Sequence, residues 1–274
     1  MSPMPTIRLS DGVQVPVLGY GTGTAIYQKD AKDSVIMAVS RGNMLHIDCA
    51  EMYLNEESVG SALKELKVEQ GDLFLTSKCG LENTFISKPS ESLERSLQKA
   101  VKGMGLSSAW KMMEQLLKEG KTRSIGVSNH RIEFLEEILK NAKTLPSVNQ
   151  IEVHPYVYDK AQPIIEFCAS NAITIEAYGT LASLIHYPGG PVDPIVQQIA
   201  RDLGATESQV LLKWAHQITH GGPVVTTSNK SERLEEHIKA LTEMGDLSDT
   251  QMQAIVEGGK QNPQRFRMED MNER

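Results

Sequence analysis

What this chain has little of sets its outer bounds. No apolar run reaches the roughly 18 residues that suggest a membrane span, and the opening MSPMPTIRLSDG lacks the apolar centre of a secretory leader. Basic residues are in deficit: 28 Lys and Arg against 35 Asp and Glu leave a formal net charge of -7. That balance, with no basic stretch interleaved with aromatics, argues against a nucleic-acid surface. Only three cysteines occur, Cys49, Cys79 and Cys168, and none forms a close pair. An odd count at wide spacing favours reduced thiols inside a cell, so the expected location is cytoplasmic. The expected partner is a small molecule rather than a nucleic acid or a membrane, and the chain is expected to be a monomer or a weak homo-oligomer.

Two chemistries are disfavoured by missing motifs. His216 and His220 stand at helical i,i+4 spacing, but there is no H-E-x-x-H pattern and no carboxylate set around them, so no metal site is expected. GYGTG, 19–23, lacks the following helix and acidic spacing of a G-x-G-x-x-G dinucleotide fingerprint and reads as a tight rim loop.

What is present is alternation. TIRLSDGVQVPV, 6–17, places two short alternating runs around Asp11-Gly12, a hairpin signal. Seven further apolar runs read as strands: 17–21, 44–49, 72–78, 123–129, 148–153, 173–178 and 223–228. Between and after them lie amphipathic patterns, among them 30–41, 55–66, 88–105, 108–121 and 231–241, which read as helices. Such βα alternation favours a parallel sheet covered by helices. The strands end in polar residues, namely Asp48, Lys78, Ser128-Asn129, Gln150, Glu152, Tyr178 and Ser228. A closed barrel would gather these on one rim, where active sites form. A doubly wound open sheet is the alternative and would scatter them. One irregularity stands out, because only GMGLSS, 103–108, separates two helical patterns where an eighth strand is due.

Asp48 ends one strand, Tyr53 follows five residues later and Lys78 ends the next strand. A lysine so placed would favour the tyrosinate and lower the tyrosine pKa, and Asp48 would orient the lysine. Each residue taken alone has an ordinary structural explanation; their shared placement after adjacent strands suits proton donation to a substrate oxygen as hydride reaches carbon.

HIDCAEMYLNEESVG, LFLTSK, KEGKTRSIGVSN, VNQIEVHPY and EAYGTLASL, in that order, resemble the aldo-keto reductase family over nearly the whole chain. The resemblance implies a (β/α)8 TIM barrel with an N-terminal β-hairpin plug, with residues 1–274 as a single barrel domain. It implies an NADP-dependent enzyme that reduces an aldehyde or ketone to an alcohol. It casts Tyr53 as general acid, Lys78 as its partner and Asp48 as the lysine's counter-ion. Ser128, Asn129 and Gln150 resemble the donors that grip the nicotinamide carboxamide, and Tyr178 the aromatic platform under the ring. Ser228 and Arg233 resemble anion-binding positions for the adenosine phosphate, and Glu236 the residue bonded to the adenine amino group. Thr227 and His237 replace the family's usual lysine and asparagine, so NADPH is expected with NADH as the alternative. Met104, Trp110, Tyr187 and the C-terminal FRMEDM are candidates to shape the substrate pocket.

The family's fourth catalytic residue, a histidine closing a strand, should fall between Met104 and Trp110, and neither strand nor histidine is there. The expectation is that a stretch carrying them is missing from the sequence, since the downstream segments are intact. The alternative is a chain that truly lacks both, with barrel and catalysis impaired. In that case it would be a cofactor-binding regulatory or interaction protein. His46 and His154 sit in family-like strand contexts and are expected to be structural.

Overall fold

A computed structural model describes residues 4–68, 71–79, 84–86 and 105–265, with the backbone alone at 79 and 84–86. Strands β1 (Thr6–Arg8) and β2 (Gln14–Pro16) pair antiparallel, with Thr6 opposite Pro16. Gly12, at φ +90°, makes the reversal that an L side chain would resist. Leu9 and Val15 of this hairpin bury against Phe74 and Val148 at the starts of two barrel strands. Asp11 accepts from Ser124 Oγ at 2.5 Å and from Ser147 Oγ at 2.7 Å. The hairpin therefore plugs the end of the barrel opposite the strands' C-termini.

The remaining strands are β3 (Leu18–Gly21), β4 (His46–Asp48), β5 (Phe74–Cys79), β6 (Thr84–Ile86), β7 (Ile125–Ser128), β8 (Val148–Glu152), β9 (Thr174–Tyr178) and β10 (Val224–Thr226). They close into a barrel in the order β10-β3-β4-β5-β6-β7-β8-β9, which excludes the open sheet. The seven strands read from the sequence are all present and parallel. Helices such as Lys32–Gly42, Ile132–Asn141 and Tyr158–Ser170 cover the outside, burying their apolar faces on the strands. The helix expected over 88–105 lies outside the described residues, as do Met104 and FRMEDM.

Among the described residues the expected eighth parallel strand is missing, and its place in the barrel is taken otherwise. That place is filled by β6, which runs antiparallel to both neighbours, pairing Lys78 with Phe85 and Phe85 with Gly126. The strand comes from the segment just after Lys78, not from between Met104 and Trp110, and it escaped a reading that looked only for parallel βα units. Its physical role is clear. Without it, β5 and β7 would each present an unpaired edge, and unpaired backbone groups are unfavourable wherever water does not reach them. Beyond this seam the chain resumes with the helix Leu106–Lys118.

Among the described residues, no helix is long and apolar enough to cross a membrane.

Candidate active site

Because seven strands share one direction, their C-terminal ends meet at one rim. Asp48 reaches it at the end of β4. The chain then turns through a short 3-10 helix, Glu51–Tyr53, and Leu54 at φ +52° redirects it into the helix Glu56–Leu66. Asn55 secures the turn from within: its buried Nδ2 donates to the carbonyls of Thr22 and Ile26 at 3.0 and 2.9 Å. The glycine-rich loop completes the seat of Tyr53, since a Cβ on Gly23 would overlap the tyrosine ring. Thr22 ties that loop to β4, its backbone N–H and its Oγ1 both donating to the Asp48 carbonyl at 3.0 Å.

Lys78, nearly buried at the top of β5, donates to Asp48 Oδ1 at 2.5 Å and to the Cys49 carbonyl at 2.8 Å. Its ammonium lies 5.3 Å from the centroid of the half-buried Tyr53 ring. Burial disfavours the ammonium, but the charges of Asp48 and Tyr53 and the hydrogen bond to Asp48 outweigh it, so the lysine pKa stays above its ordinary value. Tyr53 departs from the sequence expectation. Burial raises its pKa, and although the charge and hydrogen bond of Lys78 act downward as expected, the result is pushed up to about 12. Desolvation wins over the cation, and the hydroxyl holds its proton at neutral pH.

The other expected residues gather at the same rim. Asn129, in a left-handed conformation at φ +56°, donates from Nδ2 to Ser128 Oγ at 3.3 Å and accepts from the Tyr178 hydroxyl at 2.9 Å. Ser128 Oγ donates to the Gln150 carbonyl at 3.0 Å, and Gln150 Nε2 donates to Asp48 Oδ1 at 2.8 Å. Past the end of β10, Ser228 Oγ receives the Lys230 backbone N–H at 3.1 Å. Arg233 is exposed and Glu236 half-buried on the helix Ser231–Thr242 that follows. His237 Nδ1, buried on the same helix, has no hydrogen-bond partner. Donors at three neighbouring strand ends, an exposed guanidinium and an orphaned buried nitrogen make a set that fits a nicotinamide dinucleotide.

Other expected residues are placed elsewhere. Trp110 is buried on the helix Leu106–Lys118, where its indole N–H donates to the Thr144 carbonyl at 2.9 Å, so it serves the helix layer rather than the pocket. Tyr187 is half-buried with its ring against Tyr156 and His154. His154, fully buried, bonds Glu152 through Nε2 at 2.8 Å, and His46 is likewise buried inside the barrel. His216 Nδ1 approaches the Gly222 carbonyl at 2.9 Å, and no metal-binding cluster occurs among the described residues. Burial raises the pKa of the Cys49 thiol, which argues against a reactive thiolate beside Tyr53 and Lys78.

Sequence reasoning placed Gly23 in a rim loop without its contact to Tyr53, and it missed Asn55 and Glu176. The signal for Glu176 was available, because it is a lone carboxyl within the apolar strand ITIEAY. Gly23 and Asn55 act through tertiary contacts that no local pattern announces.

The sequence profile of the Aldo/keto reductase family matches residues 17–109 and 100–259, in two pieces that meet at the irregular stretch. The chain is 40% identical over 249 residues to the NAD/NADP-dependent indole-3-acetaldehyde reductase of Schizosaccharomyces pombe, covering 82% of this chain and 86% of that protein. It is 31% identical to the NADPH-dependent alpha-keto amide reductase of Saccharomyces cerevisiae, covering 92% and 89% of the two chains. That alignment spans 284 residues, more than the 274 present here, so the relative has residues without a counterpart in this chain. The crystal structure of an aldo/keto reductase from Brucella melitensis superposes with a TM-score of 0.75 at 28% identity, covering 93% of this chain and 100% of that one. These matches establish that the chain belongs to the aldo/keto reductase family.

Proposed function

We propose that this chain reduces an aldehyde or ketone to an alcohol with a nicotinamide cofactor, NADPH in preference to NADH, and that Tyr53 is the proton donor. The observation that carries the reading is the buried Asp48–Lys78 ion pair at the barrel rim, 2.5 Å long, with the lysine against Tyr53. When bound, the reduced cofactor supplies the hydride. Ser128, Asn129 and Gln150 would hold its carboxamide, and Tyr178 would offer an aromatic face to its ring. Ser228 and Arg233 take the 2'-phosphate, with Lys230 at the start of the helix adding charge where the residue before the serine is Thr227. Glu236 receives the adenine amino group.

Tyr53 keeps its proton until the substrate oxygen gains negative charge. It then donates, and Lys78 stabilises the tyrosinate left behind while Asp48 fixes Lys78 in place. No histidine lies between Met104 and Trp110 to share the polarisation of the carbonyl, so Tyr53 carries it. Met52 and Leu54, on either side of Tyr53 in the chain, are 58% and 70% exposed, and Tyr27 lies edge-on to the Tyr53 ring at 6.2 Å.

The test is Tyr53→Phe. The expected result is a loss of about 10²–10⁴ in kcat/KM for carbonyl reduction, the range of a general acid, with NADPH binding retained in a fluorescence titration. Equal rates in the two proteins would remove Tyr53 from the chemistry. Cofactor binding without turnover in the unsubstituted chain would point to a regulatory role for the same barrel.

A further inference from the structure

Among the described residues, two carboxyl groups, Asp48 and Glu176, share the barrel interior around Lys78. Asp48 takes the cation at 2.5 Å. Glu176, in the middle of β9 and 1% exposed, is the second carboxyl. Its Oε1 lies 3.3 Å from His46 Nε2. It also faces Gln150, which links it to Asp48 through the 2.8 Å bond from Nε2. The titratable groups set against Glu176 are His46 and Asp48 from β4 and Lys78 from β5, with Tyr53 one step beyond the lysine; Gln150 from β8 faces it without charge. His46 brings no compensating charge, since burial pushes its pKa down to about 4 and it is neutral across the working range. A second carboxylate here would be buried without a cation of its own, and such groups keep their proton instead.

We propose that Glu176 is a positioning residue that stays protonated at neutral pH, leaving Lys78 to Asp48 and Tyr53, and that its ionisation sets the alkaline limit of carbonyl reduction. The inference rests on the reading of Tyr53 as the acid. Once Glu176 is a carboxylate, Lys78 answers to two anions, and the added negative charge makes the tyrosinate harder to form. Burial, followed by the charge of Asp48, pushes Glu176 up to about 8 against the opposing pull of Lys78 and Gln150. That places its titration far below that of Tyr53 at about 12, so the two limbs are separable.

The experiment follows the NADPH-dependent reduction of 4-nitrobenzaldehyde from about pH 6 to about pH 10, at saturating cofactor, in the unsubstituted protein, Glu176→Gln and Tyr53→Phe. The expected result is a kcat/KM that falls to a lower level as the pH rises through about 8 in the unsubstituted protein. In Glu176→Gln that limb disappears, because the amide keeps the shape of the neutral acid and cannot ionise. A limb unchanged in Glu176→Gln overturns the proposal. Full activity of Tyr53→Phe at neutral pH overturns the reading beneath it, so the two failures are distinct. A second measurement needs neither turnover nor a folded variant. The infrared difference spectrum of the unsubstituted protein between about pH 6.5 and about pH 9.5 should show loss of a protonated carboxyl C=O band. Absence of that band also overturns the proposal.

Discussion

Two sides of this barrel are built differently. Away from the seam, β8 and β9 are joined by five consecutive parallel pairs from Val148–Thr174 to Glu152–Tyr178, and polar residues stand at the top of both strands. At the seam, Thr84–Ile86 meets each neighbour through three antiparallel pairs and brings no further parallel strand end to the rim. The difference separates two demands that a regular barrel meets together. Closure requires only that the backbone edges of β5 and β7 find partners, and a strand of either direction supplies them. Catalysis requires a particular side chain at the top of a parallel strand, and a reversed strand does not replace it. This chain satisfies the first demand at the seam, and on the proposed function it leaves the second to Tyr53, Lys78 and Asp48.

The comparison is tested most strongly through packing. Ile151 on β8 and Ile125 on β7 are both buried, at 2% and 1% exposure, but only β7 borders the seam. Ile151→Ala is expected to destabilise the protein by about 2–5 kcal/mol, the range for a large-to-small change in a core that cannot collapse. Ile125→Ala should fall at or below the low end of that range, because a three-residue neighbouring strand gives way more readily. Urea titration of both variants measures the difference; equal losses would mean that the seam is packed as firmly as the rest of the barrel.

A smaller effect is expected where the glycine-rich loop meets Tyr53. Gly23→Ala places a methyl group into the tyrosine ring, which has to move. Displacing a reacting group by about 1 Å is enough to lower the rate about 10²-fold. The fall should appear in kcat with the urea midpoint nearly unchanged, since the loop lies at the rim and not in the core. An unchanged kcat would mean that the site tolerates a shifted tyrosine.

These cases also show where sequence reading succeeds. The seven parallel strands were legible because each is a short apolar run ending in polar residues, and Asp48, Lys78, Gln150 and Tyr178 were legible because strand ends share a rim. The eighth strand was not legible, since three residues running against the direction of the others break the βα rhythm that reveals their neighbours. The net pKa of Tyr53 was not legible either. The sequence places a cation beside the hydroxyl, but how far burial counts against it depends on the closed barrel. Glu176 lay open to view as a carboxyl in an apolar strand, yet its meaning depends on how many cations share the interior.

The same interior gives the subtlest expected effect, in the pH dependence of stability. His46 and Glu176, 3.3 Å apart, are shifted in opposite directions relative to their free values. His46 falls from 6.5 to about 4 on folding, chiefly by burial. Between those values the unfolded chain binds a proton that the native chain refuses, so stability present above pH 6.5 is lost as the pH falls toward about 4. Glu176 rises from 4.5 to about 8, chiefly by burial, so the native chain is the one that holds the extra proton, and stability present below pH 4.5 is lost as the pH rises toward about 8. In the overlap the two slopes oppose each other. His46→Gln should therefore flatten the acid loss of stability by up to about 1.4 kcal/mol per pH unit, leaving the similar contribution of His237, which burial also pushes down to about 4. Glu176→Gln should change the slope by the opposite sign and extend that change to about pH 8. Urea midpoints at a series of pH values read both changes. Slopes of the same sign in the two variants would mean that the pair shares one proton as a unit, and that the barrel interior on the parallel side holds a coupled acid rather than two separate neutral groups.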